Sequence, residues 1–504
     1  MKYLGKLLGN SVLIWSVGLL SCLTLASIFY HTRLPMDGSE MAIIEKNNLW
    51  FWLGLSLFGL VLFLILCALI KLDAAYLLLG GFLFYLAMGI ILIIHQNNIL
   101  RHDALAVLEA ARAINRNEYS PLTSVYGYIF KYPHQLGLVT FERIFLHFFG
   151  EKNVQIFFYI NLVFAMLDNL LLYWLVRRQF PKTKVAQATI VLSFLFLPQI
   201  FYILFVYGLT YSLFFVLLAL LGLQAYLQHR SLLASVLTLS SLSMAYLIRS
   251  NNLLLLLSIC LLLFLDFLQN HYHRSLLLTI LVIVVPMGTN WGLITYYKDL
   301  TGAKLQGEPK IAWIAMGLDD NPVYNRIPGW YDAYVENVYT ENEGNAEQIT
   351  QASQKKLGER LQYMKNNPAY TIKFFKNKLV STWTDGLFQS VWSGPLPRSK
   401  VEGQKVEGSI MTSVYEGGRL LDILYVYSAS LLPILYGLSL LGTIELFGKY
   451  QGRNVFLAIL IYLSAGFLFH LIWETKSQYV YPYVYLLIPI AGVGFDKLYK
   501  RMPQ

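Results

Sequence analysis

Four short polar patches interrupt an otherwise apolar chain, and they carry the residue types that could do chemistry. The first is Asp103, which follows an apolar run in the segment Leu100-Arg101-His102-Asp103. A carboxylate between a dry interior and basic neighbours is well placed to act as a base. The alternative is an N-cap, because Asp followed by Ala-Leu-Ala-Val-Leu is a good helix start. The local sequence leaves both interpretations open.

The second patch is an aromatic stretch, residues 126–137, which polar residues interrupt. Tyr132, His134 and Gln135 lie within it. Aromatic faces stack on sugar rings, and the polar side chains would hydrogen-bond sugar hydroxyls. The alternative is an interfacial aromatic belt, which requires Tyr and Phe but gives no reason for Pro, His and Gln together. The pattern is compatible with both.

The third patch is Arg249-Ser250-Asn251, which separates two apolar runs. The guanidinium is always charged and presents a planar fork of donors, so Arg249 could hold a phosphate. The alternative is an arginine that extends toward the membrane surface at a tight helix connection.

The fourth patch, residues 473–483, lies between the last two apolar runs and includes Glu474, Lys476 and Tyr479. Ionisable groups at membrane depth are functional candidates by default. The alternative is a Glu474/Lys476 pair that simply ends two helices. Asp168 also lies within an apolar run, where it is either part of a polar network or a satisfied core residue.

Composition indicates a membrane protein. The chain has 504 residues, of which 56% are hydrophobic and 13% charged, with a mean hydropathy of +0.52. Runs of about 20 apolar residues, long enough to cross a bilayer as a helix, recur along the chain. The net charge of +10 comes from basic residues in short loops, so it indicates topology and not nucleic-acid binding.

Several chemistries are poorly supported. Cys22, Cys67 and Cys260 all lie in apolar runs, so neither a disulfide framework nor a thiolate metal site is expected. The sequence has no phosphate-binding glycine loop and no zinc-protease, paired-cysteine or serine-hydrolase motif. We therefore assign no metal site and no certain cofactor, although a divalent cation stays possible.

The predicted fold is an all-α polytopic membrane protein with about twelve transmembrane helices. These are expected near residues 10–30, 49–70, 75–95, 154–176, 185–200, 204–228, 231–248, 252–268, 275–297, 421–446, 454–473 and 479–497. Short basic loops would lie inside the cell together with both termini. The longer segments 96–153 and 298–420 would then both lie outside and carry interfacial helices, one of them near residues 102–114.

The predicted topology divides the chain into five sections. They are three N-terminal helices (1–95), a first outer loop (96–153), a transmembrane core (154–297), a large outer loop (298–420) and the C-terminal helices with a short cytoplasmic tail (421–504).

In this order the four patches resemble the GT-C superfamily of membrane glycosyltransferases, which use polyprenyl-phosphate sugars. That clan holds the protein O-mannosyltransferases and the aminoarabinose transferase of lipid A, and the resemblance is closest to Gram-positive bacterial members. Asp103 before a helix, then Tyr132-Pro133-His134-Gln135-Leu136-Gly137, matches the family pattern. Further similar segments are Phe205-Val206-Tyr207-Gly208, Ile248-Arg249-Ser250-Asn251, Trp313-Ile314-Ala315-Met316-Gly317-Leu318 and Trp473-Glu474-Thr475-Lys476-Ser477-Gln478-Tyr479.

The resemblance covers most of residues 75–497 and implies an inverting transfer of a sugar to a cell-envelope polysaccharide, teichoic acid, lipid or protein. Asp103 would be the outer-loop carboxylate that deprotonates or orients the acceptor, with Arg249 and Lys476 near the donor phosphate. Tyr132, His134, Gln135, Glu474 and Tyr479 would bind substrate.

Two features depart from the family pattern. Family members often have Ser-Arg-Tyr where this chain has Ser477-Gln478-Tyr479, and two spans precede the expected first one. The alternatives are a transporter or flippase for lipid-linked glycans, which would not be an enzyme, and a polysaccharide polymerase.

Overall fold

The computed structural model describes residues 2–36, 40–96, 99–181, 183–321, 327–395, 410–447 and 455–502. Small parts of the predicted outer segments 96–153 and 298–420 therefore lie outside the described residues.

The described elements form an almost entirely helical protein. In chain order they are α1 (Lys2–Phe29), β1 (Tyr30–Arg33), β2 (Ile43–Lys46), α2 (Leu49–Leu69), α3 (Ala74–His95), α4 (His102–Asn115), α5 (Ser120–Thr123), α6 (Tyr128–Lys131), α7 (Leu136–Phe149), α8 (Gln155–Gln179), α9 (Val185–Leu195), α10 (Pro198–Phe201), α11 (Leu209–His229), α12 (Leu232–Ile248), α13 (Leu253–Asn270), α14 (His273–Thr301), α15 (Lys310–Gly317), α16 (Tyr334–Glu341), α17 (Ala346–Asn366), α18 (Pro368–Trp383), α19 (Ile410–Tyr415), α20 (Arg419–Glu445), α21 (Val455–Ile472), α22 (Ser477–Tyr485) and α23 (Ile488–Tyr499). Short 3-10 turns occupy Pro133–Gln135, Tyr202–Leu204 and Ser250–Asn252.

Nine helices within the described residues are long and apolar enough to cross a membrane, or ten if the bent pair α9–α10 counts as one span. The nine are α1, α2, α3, α8, α11, α13, α14, α20 and α21. By length and composition, the described residues therefore contain fewer membrane-spanning helices than the twelve predicted. Helix α12 has only 17 residues, and the last predicted span is divided into α22 and α23.

The helices differ in how much of their surface is buried. Helix α11 is mostly buried and lies at the centre of the bundle, whereas α2 and α3 leave most of their apolar residues exposed. The N-caps of α2 and α3 are Asn48 and Asp73, whose side chains accept hydrogen bonds from the backbone N–H groups of Phe51 (3.0 Å) and Ala75 (2.8 Å). Helices with this composition and exposure are suited to contact with lipid.

The hairpin β1–β2 is an exception to the predicted all-helical fold. Its strands are antiparallel and pair Tyr30 with Lys46. The backbone N–H of Thr32 donates to the carbonyl of Thr384 (3.2 Å), and the Tyr425 hydroxyl accepts from the backbone N–H of Leu34 (3.0 Å). These contacts fix the hairpin to the end of α18 and to α20.

The two segments predicted to lie outside contact each other. Lys131 in the first forms an ion pair with Glu336 in the second, with Nζ and Oε1 2.6 Å apart. The Tyr339 hydroxyl donates to the carbonyl of Val125 at 2.8 Å. Residues from both segments therefore build one surface.

A glycine allows α7 to pack closely against α12. A Cβ on Gly137 would lie 1.9 Å from the carbonyl oxygen of Leu247, a distance that no side chain tolerates. Gly137 is thus required where the aromatic stretch enters α7, and this contact fixes the position of Gln135 just before it.

Candidate functional site

Asp103 lies in the first turn of α4 and does not cap it. The N-cap is Arg101, which makes no capping hydrogen bond through its side chain. The Asp103 side chain is exposed, whereas Ala104 and Val107 of the same helix are buried. The N-cap interpretation is therefore wrong, because α4 begins at His102, two residues before the start that an N-cap at Asp103 would give.

The carboxylate of Asp103 lies in a recess that other ionisable side chains surround. Burial by the surrounding protein raises the pKa of Asp103 above its usual value, although the side chain is open to solvent. The positive charge of Lys476 lowers this pKa, the negative charge of Glu40 raises it, and the hydroxyl of Tyr128 lowers it. An exposed carboxylate with a raised pKa binds a proton more strongly than an ordinary aspartate does, which suits it to act as a base.

Lys476 is the cation of this recess. It is only 9% exposed, and its Nζ lies 2.8 Å from Oε2 of Glu40 and 5.2 Å from the centre of the Tyr331 ring. Burial lowers the pKa of Lys476, but the negative charges of Glu40 and Glu474 outweigh this effect and leave the pKa above its usual value. Lys476 is therefore charged at neutral pH.

Glu474 is a third carboxylate of the recess and is buried. Burial raises the pKa of Glu474 to about 7, with Lys476 lowering it and Glu40 raising it. The hydroxyl of Tyr479 lies 3.5 Å from its Oε1. Glu474 and Lys476 therefore do more than end two helices, because both interact electrostatically with Asp103.

Tyr207 connects two of the predicted patches. Its hydroxyl accepts a hydrogen bond from Nε2 of Gln135 (2.6 Å) and lies 3.2 Å from the hydroxyl of Tyr128. Its carbonyl accepts from the guanidinium of Arg249 (3.0 Å), which also lies 5.6 Å from the centre of its ring. Arg249 and Tyr479 line the same small cavity of about 20 Å³.

Tyr132 and His134 lie where the two predicted outer segments meet. The Tyr132 ring packs edge-on against Tyr128 and Trp313, with ring centres 4.9 and 6.2 Å apart. Burial lowers the pKa of His134 to about 4, with further lowering by Lys310, so its imidazole is neutral near pH 7. A neutral imidazole offers one donor and one acceptor nitrogen.

A loop that the sequence did not single out supports the recess. Nε2 of Gln389 donates to Glu40 (3.2 Å), and Oε1 of Gln389 accepts from the backbone N–H of Gln478 (3.3 Å). Asp385 accepts from the hydroxyl of Ser477 (2.7 Å), and burial raises the pKa of Asp385 to about 6. Residues 385–389 thus join the N-terminal hairpin to the segment that carries Lys476.

Lys378 also contacts the segment that carries Glu474 and Lys476, through backbone carbonyls. Its Nζ donates to the carbonyls of Gly317, Leu471 (3.0 Å) and Trp473 (2.9 Å). The side chain is 1% exposed, and burial lowers the pKa of Lys378 to about 7. Lys378 therefore ties the end of α15 to the residues just before Glu474.

Sequence reasoning missed Glu40, Lys378 and Asp385. Each comes from a segment that is not adjacent to the four patches in sequence, and a single acid or lysine in a polar stretch gives no local signal. Among the described residues, no group of three His, Cys, Asp or Glu side chains could hold a metal ion.

Comparison with known proteins gives a family but no relative. No curated protein and no solved structure matches the chain. A family model described as "conserved hypothetical integral membrane protein" matches residues 55–497, which include Asp103, Arg249 and Lys476. The chain, with its many apolar helices, therefore belongs to this family of integral membrane proteins.

Proposed function

We propose that this protein is a GT-C-type glycosyltransferase that moves a sugar from a polyprenyl phosphate to a cell-envelope acceptor. The observation that carries the proposal is the recess in which the solvent-accessible carboxylate of Asp103 interacts electrostatically with the buried ammonium of Lys476. A base beside a cation is what transfer from a phosphate-linked sugar requires.

The reaction is a single displacement that inverts the anomeric carbon. An acceptor hydroxyl attacks this carbon, and Asp103 takes the hydroxyl proton as the new carbon–oxygen bond forms. The bond between the anomeric carbon and the phosphate oxygen breaks, and its electron pair leaves on the polyprenyl phosphate. Lys476 stabilises the negative charge that develops there, and no nucleotide is needed.

Other residues have supporting roles. Tyr132 and His134 bind the sugar or the acceptor, and Glu474 and Tyr479 hold substrate hydroxyls beside Lys476. Gln135 binds substrate, and Arg249 contacts the donor phosphate together with Lys476. Both Gln135 and Arg249 hydrogen-bond to Tyr207, and Arg249 lines the same small cavity as Tyr479. The polyprenyl tail lies against the exposed apolar faces of the helices.

The topology we propose has twelve spans, with both termini in the cytoplasm and the recess on the outer face. At 1.5 Å per residue the 17-residue α12 is about 25 Å long, close to the lower limit for a span. Helices α22 and α23 together cover residues 477–499, which is long enough to cross once. The bent pair α9–α10 completes the twelve.

A transporter for lipid-linked glycans is the second candidate, because one feature favours it. Helices α9 and α10 are bent by 49° at a break, and Asp168 places a fully buried carboxyl group within the membrane-spanning helix α8. Broken helices with polar residues at mid-membrane are typical of transporters. A polysaccharide polymerase would share the chemistry of the recess and differ in its donor.

Mass spectrometry of envelope glycans and polyprenyl-phosphate sugars, with and without the gene, tests the proposal. Loss of a glycan substituent together with accumulation of a polyprenyl-phosphate sugar is the expected result. Cells that carry the Asp103→Asn variant are expected to show the same change. Loss of the substituent with accumulation of a lipid-linked glycan on the inner leaflet would instead favour the transporter, and an unchanged glycan profile would count against both candidates.

A further inference from the structure

Glu40 reaches the recess from outside the part of the chain that matches the family model. It lies between β1 and β2, whereas the family match begins at residue 55. Its Oε2 lies 2.8 Å from Nζ of Lys476, and its Oε1 accepts from Nε2 of Gln389 at 3.2 Å. The side chain is 14% exposed. The N-terminal hairpin therefore delivers a carboxylate to the principal cation of the site.

We propose that Glu40 is an internal counter-ion of Lys476 whose carboxylate is replaced by the phosphate of the lipid substrate. This inference rests on the proposed function, because it assumes that Lys476 binds that phosphate. Glu40 is thus a positioning residue: it keeps Lys476 charged and oriented between turnovers, and it sets how tightly the phosphate binds.

The need for a counter-ion follows from burial. An ammonium removed from water is costly unless an anion and hydrogen bonds compensate it. Asp103 and Glu474 also act on Lys476, but among the described residues the contact at ion-pair distance is with Glu40. A phosphate that binds Lys476 brings its own negative charge and removes the need for this carboxylate.

Competition between the two anions follows from their charge. Glu40, Asp103 and Glu474 already place three carboxyl groups in the electrostatic field of Lys476. An added phosphate beside an unchanged Glu40 would put two anions on one ammonium, and they would repel each other. Phosphate binds the state in which Lys476 is not paired with Glu40. Because the pair with Glu40 makes this state a minor one, the apparent affinity for phosphate falls in proportion to its population.

The same hairpin offers a matched control. Glu45 lies on β2, with its Oε1 2.7 Å from Nε of Arg33 and its Oε2 3.1 Å from Nε2 of His31. It has the same charge as Glu40 and lies on the same hairpin, but it forms its ion pairs away from Lys476. Glu45→Gln therefore reports any general effect of removing a charge from the hairpin.

The test is thermal unfolding of the full chain in detergent, titrated with undecaprenyl phosphate, undecaprenol or inorganic phosphate. Undecaprenol lacks the phosphate, and inorganic phosphate lacks the lipid, so the three probes separate the headgroup from the tail. Glu40→Gln is expected to unfold at a lower temperature than the parent without ligand, because Lys476 loses its counter-ion. It is expected to bind undecaprenyl phosphate about tenfold more tightly than the parent.

Four further comparisons determine the outcome. Glu45→Gln is expected to bind like the parent, and undecaprenol is expected to distinguish none of the variants. Glu40→Asp keeps the charge and is expected to bind no more tightly than the parent, which provides a second measurement if Glu40→Gln folds poorly. The double variant Glu40→Gln/Lys476→Met is expected to unfold at a higher temperature than Glu40→Gln alone.

Glu40→Gln that binds undecaprenyl phosphate with parental or weaker affinity would overturn the inference about Glu40. Even with that result, Lys476 would keep its role in binding the phosphate if the parent binds undecaprenyl phosphate and Lys476→Met does not. Equal binding by the parent and Lys476→Met would instead overturn the phosphate role itself, so the two failures are distinguishable.

Discussion

At the residue scale, the chemistry proposed for this protein depends on two side chains, Asp103 and Lys476. Their positions could be predicted from the sequence, because polar residues at the ends of apolar runs are conspicuous. Their partners could not be predicted. Glu40 lies more than 400 positions before Lys476, and no spacing rule links a hairpin residue to a loop at the other end of the chain.

The pH dependence of the proposed reaction follows from the raised pKa of Asp103. A base must be deprotonated, so kcat/KM is expected to fall as pH decreases through a pKa above the usual value for aspartate. Lys476 lowers this pKa, so in Lys476→Met the midpoint is expected at a higher pH than in the parent. Rates measured from pH 4 to pH 9 check both statements, and a midpoint that moves to lower pH would contradict them.

At the element scale, the long helices follow directly from apolar runs, whereas the short connecting elements do not. The hairpin β1–β2 has strands of four residues each, too short for an alternating pattern to stand out. The start of α4 lies two residues before the position that an N-cap at Asp103 would give, because Arg101 is its N-cap. Side chains such as Lys378, which tie elements together, become visible only once the fold brings distant carbonyls together.

Replacing Lys378 by Met is expected to destabilise the segment that carries Glu474 and Lys476. One buried and two half-buried carbonyls would lose their donor, which costs up to about 1–3 kcal/mol for each group left unsatisfied. The expected result is a lower unfolding temperature together with reduced transfer activity. Lys373→Met changes an exposed lysine on the same helix and is expected to shift stability by no more than about 0.5 kcal/mol. Equal effects of the two variants would contradict the role of Lys378.

Gly317→Ala tests the close approach of α15 to the same segment. A Cβ at this position would lie 2.4 Å from the carbonyl oxygen of Ile472 and 2.5 Å from the backbone nitrogen of Glu474. The expected loss of stability is about 1–3 kcal/mol, because backbone atoms must shift. Gly292→Ala, within α14 and with nothing within 4 Å, is expected to be neutral or stabilising by up to about 1 kcal/mol. Thermal unfolding of both variants in detergent provides the comparison.

At the scale of the whole molecule, composition alone was sufficient to predict a multi-pass membrane protein. The exact number of spans is harder to predict, because hydropathy does not distinguish a 17-residue helix that crosses the bilayer from one that stops short. The contacts between residues 96–153 and 298–420 support one shared face, since Lys131 and Glu336 join the two segments. The basic loops predict that this face lies outside the cell.

Cysteine labelling tests this topology. In a variant without Cys22, Cys67 and Cys260, single cysteines replace the exposed residues Glu118 or Glu359. Both are expected to react with an impermeant thiol reagent added to intact cells, whereas a cysteine in place of the exposed Arg274 reacts only after permeabilisation. Reaction of the Arg274 position in intact cells, with protection of the other two, would reverse the orientation.

The role of Asp103 as the base is the central claim, and replacing it by Asn tests it most directly. The amide keeps the size of the side chain but cannot accept the proton, so the variant is expected to fold normally and lose turnover by about 10²-fold or more. Glu109→Gln, which neutralises an exposed acid on the same helix, is expected to keep the parental rate. The measurement is the initial rate of sugar transfer by each purified variant, with the donor identified from the envelope glycans. An Asp103→Asn protein that transfers sugar at close to the parental rate would contradict the claim.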